Sequence, residues 1–203
     1  METIRLPITA ALLVLTLLAA SDATTLAGGP GRHARVQVGP ATLAVAGPPG
    51  FCLDAPATRI DRDGAFVLLG DCGLLGKGPA AARPQGAVLT ASLEAGGAGS
   101  VAGIGRLTET AAGRALVSQS GSGARVKVLA TREAGGAVFL LVEDQGRKPV
   151  PGLKSRFWRG FLDIDGHLAV VSVLAIEGGT VDDQQGLTLA VAFAEAMQAA
   201  NAQ

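Results

Sequence analysis

Tyrosine is missing from this 203-residue chain, tryptophan occurs once, and six Phe are the only other aromatic side chains. With so few large rings, the core must be filled mainly by Val, Leu and Ala. Net charge is missing too, since 17 Lys and Arg face 17 Asp and Glu. A protein that grips phosphates carries a cationic surplus, so no nucleic-acid partner is expected. Two Cys and two His, with no C-x-x-C pair, are too few for a structural zinc site unless both His take part. No G-x-S-x-G elbow, no G-x-x-x-x-G-K-[ST] loop and no third Cys is present, so the usual nucleophile and phosphate-loop chemistries find no foothold. No metal and no cofactor is expected. The 48% hydrophobic content excludes a disordered chain, and the length suits one domain with its own core.

Long apolar runs are also missing, except at the start. Residues 6–20, LPITAALLVLTLLAA, follow a short segment whose side-chain cation is Arg5. Length and flanks match the apolar region of a secretory signal peptide, placed at 1–23. Small residues at −3 and −1 allow cleavage after Ala23, which is preferred, or after Ala27. The alternative is an uncleaved inner-membrane anchor, although a bilayer-spanning helix needs about 20 apolar residues. Loss of residues 1–23 removes Arg5, Glu2 and Asp22 and leaves one more cation than anions. Periplasmic export follows as the expected localisation.

In an oxidising compartment the pair Cys52 and Cys72, twenty residues apart, is expected to close a disulfide. Such a loop stabilises by roughly 3 kcal/mol in the chain-entropy model. The pattern predicts a loop pinned to the end of the apolar strand 65–69.

Residues 24–34, rich in Gly and Thr, are expected to be a flexible leader, with one α+β domain over 35–203. Segments 35–38 and 42–46 alternate around Gly39-Pro40 and predict a hairpin. Strands are predicted at 65–69 and 86–93. Val101, Ile104, Leu107 and Ala111 at helical spacing predict a helix over 100–112 with Ser100 as N-cap, followed by a short helix over 112–118. Gly135-Gly136 and Asp165-Gly166 predict two further hairpins, 125–131 with 138–143 and 157–164 with 167–176. In the first of these, Val126, Val128 and Ala130 should share the covered face. Leu189, Phe193 and Met197 predict a carboxy-terminal helix over 187–200, favoured at its start by Asp182 and Asp183 and packed across the sheet. The fold class is therefore α+β: mainly antiparallel sheet, one helix across it, one or two short helices in the middle.

The segments 48–52 (PPGFC), 64–72 (GAFVLLGDC) and 157–163 (FWRGFLD) resemble a family of secreted, uncharacterised alphaproteobacterial proteins over most of residues 36–200. Some of those proteins carry transport-ATPase labels, but neither a phosphate loop nor an Asp-Lys-Thr-Gly-Thr motif is present here. The element order is similar to that of PsbP-type photosystem accessory proteins and Mog1-like proteins, which implies a fold and no chemistry.

Four segments invite a functional interpretation. Gly97-Ala-Gly99-Ser-Val-Ala-Gly103 is one residue too long for the dinucleotide fingerprint, which favours a plain loop. Asp163-Ile-Asp165-Gly166 could open a calcium loop, but Leu174 stands where the bidentate Glu is needed, so a hairpin turn is expected. His167 beside Asp163 and Asp165 has the residue types of a general base without a nucleophile. Arg147, Lys148, Lys154, Arg156 and Arg159 place five cations around Trp158, between Phe157 and Phe161. In a strand, Arg156 and Trp158 share one face while Phe157, Arg159 and Phe161 share the other. This segment is the best candidate binding surface, for an envelope protein or an anionic surface. Its competitor is Trp158 packed under the last helix with the cations merely solvated. Replacing Arg156 and Arg159 by Ser is expected to spare folding and abolish envelope association.

The expected function is a non-enzymatic exported envelope protein, a binding or accessory module. The alternative is a small periplasmic enzyme using Glu143, Asp144, Asp163 or Asp165 in acid–base chemistry. A purely structural subunit is a third possibility, marked by an apolar surface patch of several hundred Å².

Overall fold

The computed structural model describes residues 33–61, 63–78, 85–98, 101–119, 121–146 and 150–202. The signal segment, both cleavage sites, Ser100, Arg147 and Lys148 lie outside them. Among the described residues ten strands and three α-helices follow in order: β1 His33–Val38, β2 Ala41–Ala46, β3 Phe51–Leu53, β4 Arg59–Ile60, β5 Gly64–Asp71, β6 Ala87–Ala98, α1 Ile104–Leu107, α2 Ala111–Val117, β7 Val126–Ala134, β8 Ala137–Asp144, β9 Leu153–Ile164, β10 His167–Ile176 and α3 Asp183–Asn201.

Eight strands form one antiparallel sheet in the order β3-β5-β6-β10-β9-β8-β7, with β4 also paired to β5. The chain enters at one edge, leaves from the centre after β6, and passes through α1 and α2 to the opposite edge. It then returns as a meander that ends beside β6. The turn between β9 and β10 has φ of 51° at Asp165 and 79° at Gly166, as a two-residue type I′ hairpin requires. Asp163 Oδ1 accepts the Gly166 N–H at 2.8 Å, so the acidic run builds the turn.

The two faces of the sheet carry separate cores. One packs against α3 and the β1–β2 hairpin, through Val36, Val45, Leu89, Phe139, Trp158, Phe193 and Met197 among others. Phe193 and Met197 are fully buried, each stabilising by about 1.5–3 kcal/mol on area grounds. The other core gathers Ile104, Val117, Leu140, Phe157, Phe161 and Leu174. The β1–β2 hairpin pairs only with itself. Asn201 fastens it: its side chain donates to the Ala44 carbonyl and accepts the Ala44 N–H, both at 2.8 Å, and donates to the Met197 carbonyl at 2.7 Å.

Several expectations need correction. The leader boundary shifts, because β1 starts at His33 and Ala34 is buried. The helix expected over 100–112 is a single turn, 104–107, capped by Gly103 at φ 83°. Thr110, whose hydroxyl accepts the Gly113 N–H, starts α2 instead. Val126, Val128 and Ala130 do not share a face. The register shifts between Val128 and Ala130, so Val126 and Val128 join the second core while Ala130 packs on the first. A bulge does this by adding one unpaired residue to an alternating strand. The Cys52–Cys72 loop is pinned to the end of the apolar strand as expected, and within it the end of β3 and the two-residue β4 also pair with β5.

Candidate functional site

The disulfide is formed, with Cα atoms 4.9 Å apart. Cys52 lies in β3, and Cys72, just beyond β5, donates its N–H to the Gly50 carbonyl at 2.9 Å. Asp71, beside it, is buried. Its carboxylate accepts N–H groups from Gln85 at 2.9 Å, Gly73 at 2.8 Å and Leu74 at 3.1 Å. Those bonds, led by that from Gln85, hold its pKa below the ordinary 3.8 against the opposing effect of burial. Both features are joints at the sheet margin.

The segment 154–159 builds more. A cleft of about 480 Å³ opens where β9 and β10 meet the start of α3. Its lining includes Ser155, Trp158, Val173 and Val181, together with Lys154, Arg156, Glu177, Asp182 and Asp183. Trp158 is buried, and its Nε1 donates to the Asp183 carbonyl at 2.6 Å. The helix comes this close because residue 186 is glycine: a Cβ there would lie 2.9 Å from Trp158 Cδ1. Asp182 caps α3 by accepting the Gln185 N–H at 2.7 Å, and the Gln185 side chain accepts the Asp182 N–H.

The cations here are committed to internal partners. Lys154 Nζ donates to the Val181 carbonyl at 2.8 Å. Arg156 Nε meets Glu143 Oε1 at 2.9 Å, and its Nη1 lies 3.7 Å from Asp183 Oδ2. The hydrogen bond from Arg156 holds Glu143 below its usual pKa, and the same bond raises that of Arg156. The described lining of the cleft holds three carboxylates and two cations; Arg147 and Lys148, the other loop cations of the expected edge, lie outside the described residues. Arg159 lies on the opposite face, as strand alternation requires. There its Nε donates to Ser172 Oγ at 3.2 Å, its Nη1 donates to the carbonyls of Leu116 and Ser118 at 3.1 and 3.2 Å, and its guanidinium sits 5.3 Å from the centre of the Phe157 ring. Arg159→Ser would remove the bonds that fasten the end of α2, so the double replacement by Ser is expected to disturb α2 as well as the surface.

The four carboxylates proposed for acid–base work serve separate places, Asp165 lying in the β9–β10 turn at φ 51°. Asp163 serves the β9–β10 turn, and Glu143 is paired with Arg156. Asp144 is buried and accepts from the Ser118 hydroxyl at 2.7 Å and the Gln119 N–H at 2.9 Å. Sequence inspection missed the contribution of Val173, Glu177 and Val181 to the cleft. The β9–β10 register, with Trp158 opposite Val173 and Leu153 opposite Ile176, brings the end of β10 beside the candidate segment. Among the described residues no helix is long and apolar enough to cross a membrane.

Comparison with protein-family models, curated proteins and solved structures finds no match for this chain. The resemblances noted from sequence therefore carry no functional residue onto it.

Proposed function

We propose that the chain is an exported, non-enzymatic binding or accessory module of the cell envelope, with the cleft between β9, β10 and α3 as its binding site. The observation that carries this proposal is the cleft itself: apolar at Trp158, Val173 and Val181, rimmed by charged groups, and built from the segment singled out in sequence. Such a mixture of apolar lining and a few polar groups is typical of ligand sites. The disulfide and the apolar leader support an oxidising, exported setting. Because Lys154 and Arg156 are already satisfied, a protein partner suits the cleft better than an anionic surface. Acid–base catalysis draws no comparable support, since Glu143 is held ionised by Arg156 rather than poised as an acid.

A photo-crosslinking residue in place of Ser155 tests the site in cells that secrete the protein. The expected result is one discrete envelope adduct, absent when the cleft is filled by Val181→Trp and absent when the same residue replaces Thr188. Equal adducts from both positions, or none, contradict a binding role for the cleft.

A further inference from the structure

The second face of the sheet holds a cation that the protein does not fully satisfy. Arg159 is half-buried between β9 and the end of α2, and burial pushes its pKa down to about 10, partly opposed by the charge of Asp144. Its bonds use Nε and Nη1 alone. Among the described residues Nη2 has no hydrogen-bond partner and the guanidinium forms no ion pair. Nη2 is not among the buried unpartnered atoms, so the spare donor of this partly desolvated cation is open to water and within reach of an anion.

The register shows what surrounds it. Arg159 pairs with Ser172 on β10, Ser172 with Thr90 on β6, and Thr90 with Leu68 on β5. The neighbouring row runs from Phe161 through Val170 and Ser92 to Phe66. The helices α1 and α2 rest on β8 and β7, while Phe66, Leu68, Val88 and Val170 remain half-buried. Among the described residues the hydroxyls of Thr90 and Ser92 make no side-chain hydrogen bond, and neither is a buried unpartnered atom. Leu116, whose carbonyl Arg159 holds, is 65% exposed. An apolar sheet face thus ends at one incompletely satisfied cation and carries two spare hydroxyls.

We propose that this face binds an organic carboxylate with an apolar body, its carboxylate on Arg159 Nη2 and its chain over Val170, Leu68 and Phe66. One free guanidinium nitrogen matches the single charge of a carboxylate; a phosphate dianion needs more cations than the face supplies. From β9 to β5 there are three inter-strand steps, about 14 Å at about 4.8 Å each, room for a chain of roughly ten to twelve carbons.

Dodecanoate labelled with ¹³C at its carboxyl, kept below its micelle concentration, is the probe, with dodecanol as the uncharged control. Calorimetry on the disulfide-bonded protein should show saturable one-to-one binding of dodecanoate, with dodecanol about tenfold or more weaker. Arg159→Gln should weaken dodecanoate by about the same factor and leave dodecanol unchanged. Leu68→Gln, remote from α2, should weaken both. If Arg159→Gln fails to fold, the carboxyl resonance decides: bound to the wild-type protein, the carboxyl should stay ionised to lower pH than in free dodecanoate. No saturable binding, equal affinity for the alcohol, or an unshifted carboxyl titration overturns the proposal.

Discussion

Asn201 makes three hydrogen bonds from a buried position and joins the last turn of α3 to the backbone of β2. Its replacement by Ala leaves the N–H and carbonyl of Ala44 unpaired, at a cost of about 1–3 kcal/mol per stranded group. The expected outcome is a lower urea midpoint with hydrogen exchange accelerated first in β1 and β2. An unchanged midpoint would show that the hairpin is held by its apolar face alone. Gly186 works differently, by what it lacks. A Cβ at that position meets the indole of Trp158 at 2.9 Å, so Gly186→Ala should push helix and ring apart and cost about 1–3 kcal/mol. Because Trp158 is the only tryptophan, its emission reports the displacement directly; an unshifted spectrum and midpoint contradict this packing.

Among the elements, β3 depends most on a covalent clip. It is three residues long and pairs with β5 at three positions. Loss of the bridge by Cys52→Ser with Cys72→Ser should lower stability by roughly 3 kcal/mol in the chain-entropy model, measured by equilibrium unfolding. Asp71 joins the end of β5 to Gln85 just before β6, and its pKa sign is clear. A carboxyl held below 3.8 in the folded state contributes stability that is complete above that value and lost as pH falls through the lower folded one. The stability gap between wild type and Asp71→Asn should therefore be widest at neutral pH and shrink as pH falls below 3.8. A gap independent of pH removes Asp71 from acid denaturation. The hairpins and α3 were legible in the sequence because turn glycines and apolar periodicity act locally: Asp165-Gly166 and the stripe Leu189, Phe193, Met197 each predicted the element that forms. The extent of α1, the bulge before Ala130 and the pairing of β4 were not. They depend on contacts across the sheet rather than on nearby residues. Arg159 shows the same limit, since its alternation with Trp158 was readable but its hold on Leu116 and Ser118 required the placement of α2.

At the scale of the whole molecule, the sheet separates two sites of different character. The α3 side presents a cleft whose cations are internally paired, and the α2 side presents an apolar face ending at Arg159. With balanced charge no broad electrostatic attraction to an anionic polymer or surface is expected, so the proposed recognition rests on these local arrangements. The Cys52–Cys72 bridge and the envelope role both require an oxidising compartment. Intact-mass analysis of the full-length gene product, secreted by a bacterium, fractionated and alkylated with and without reduction, tests it most directly. The predicted result is a soluble periplasmic form beginning at Thr24 or Gly28 that takes up two alkyl groups only after reduction. A full-length, membrane-bound product with two freely alkylated thiols would contradict export, the bridge in the cell and the envelope role together.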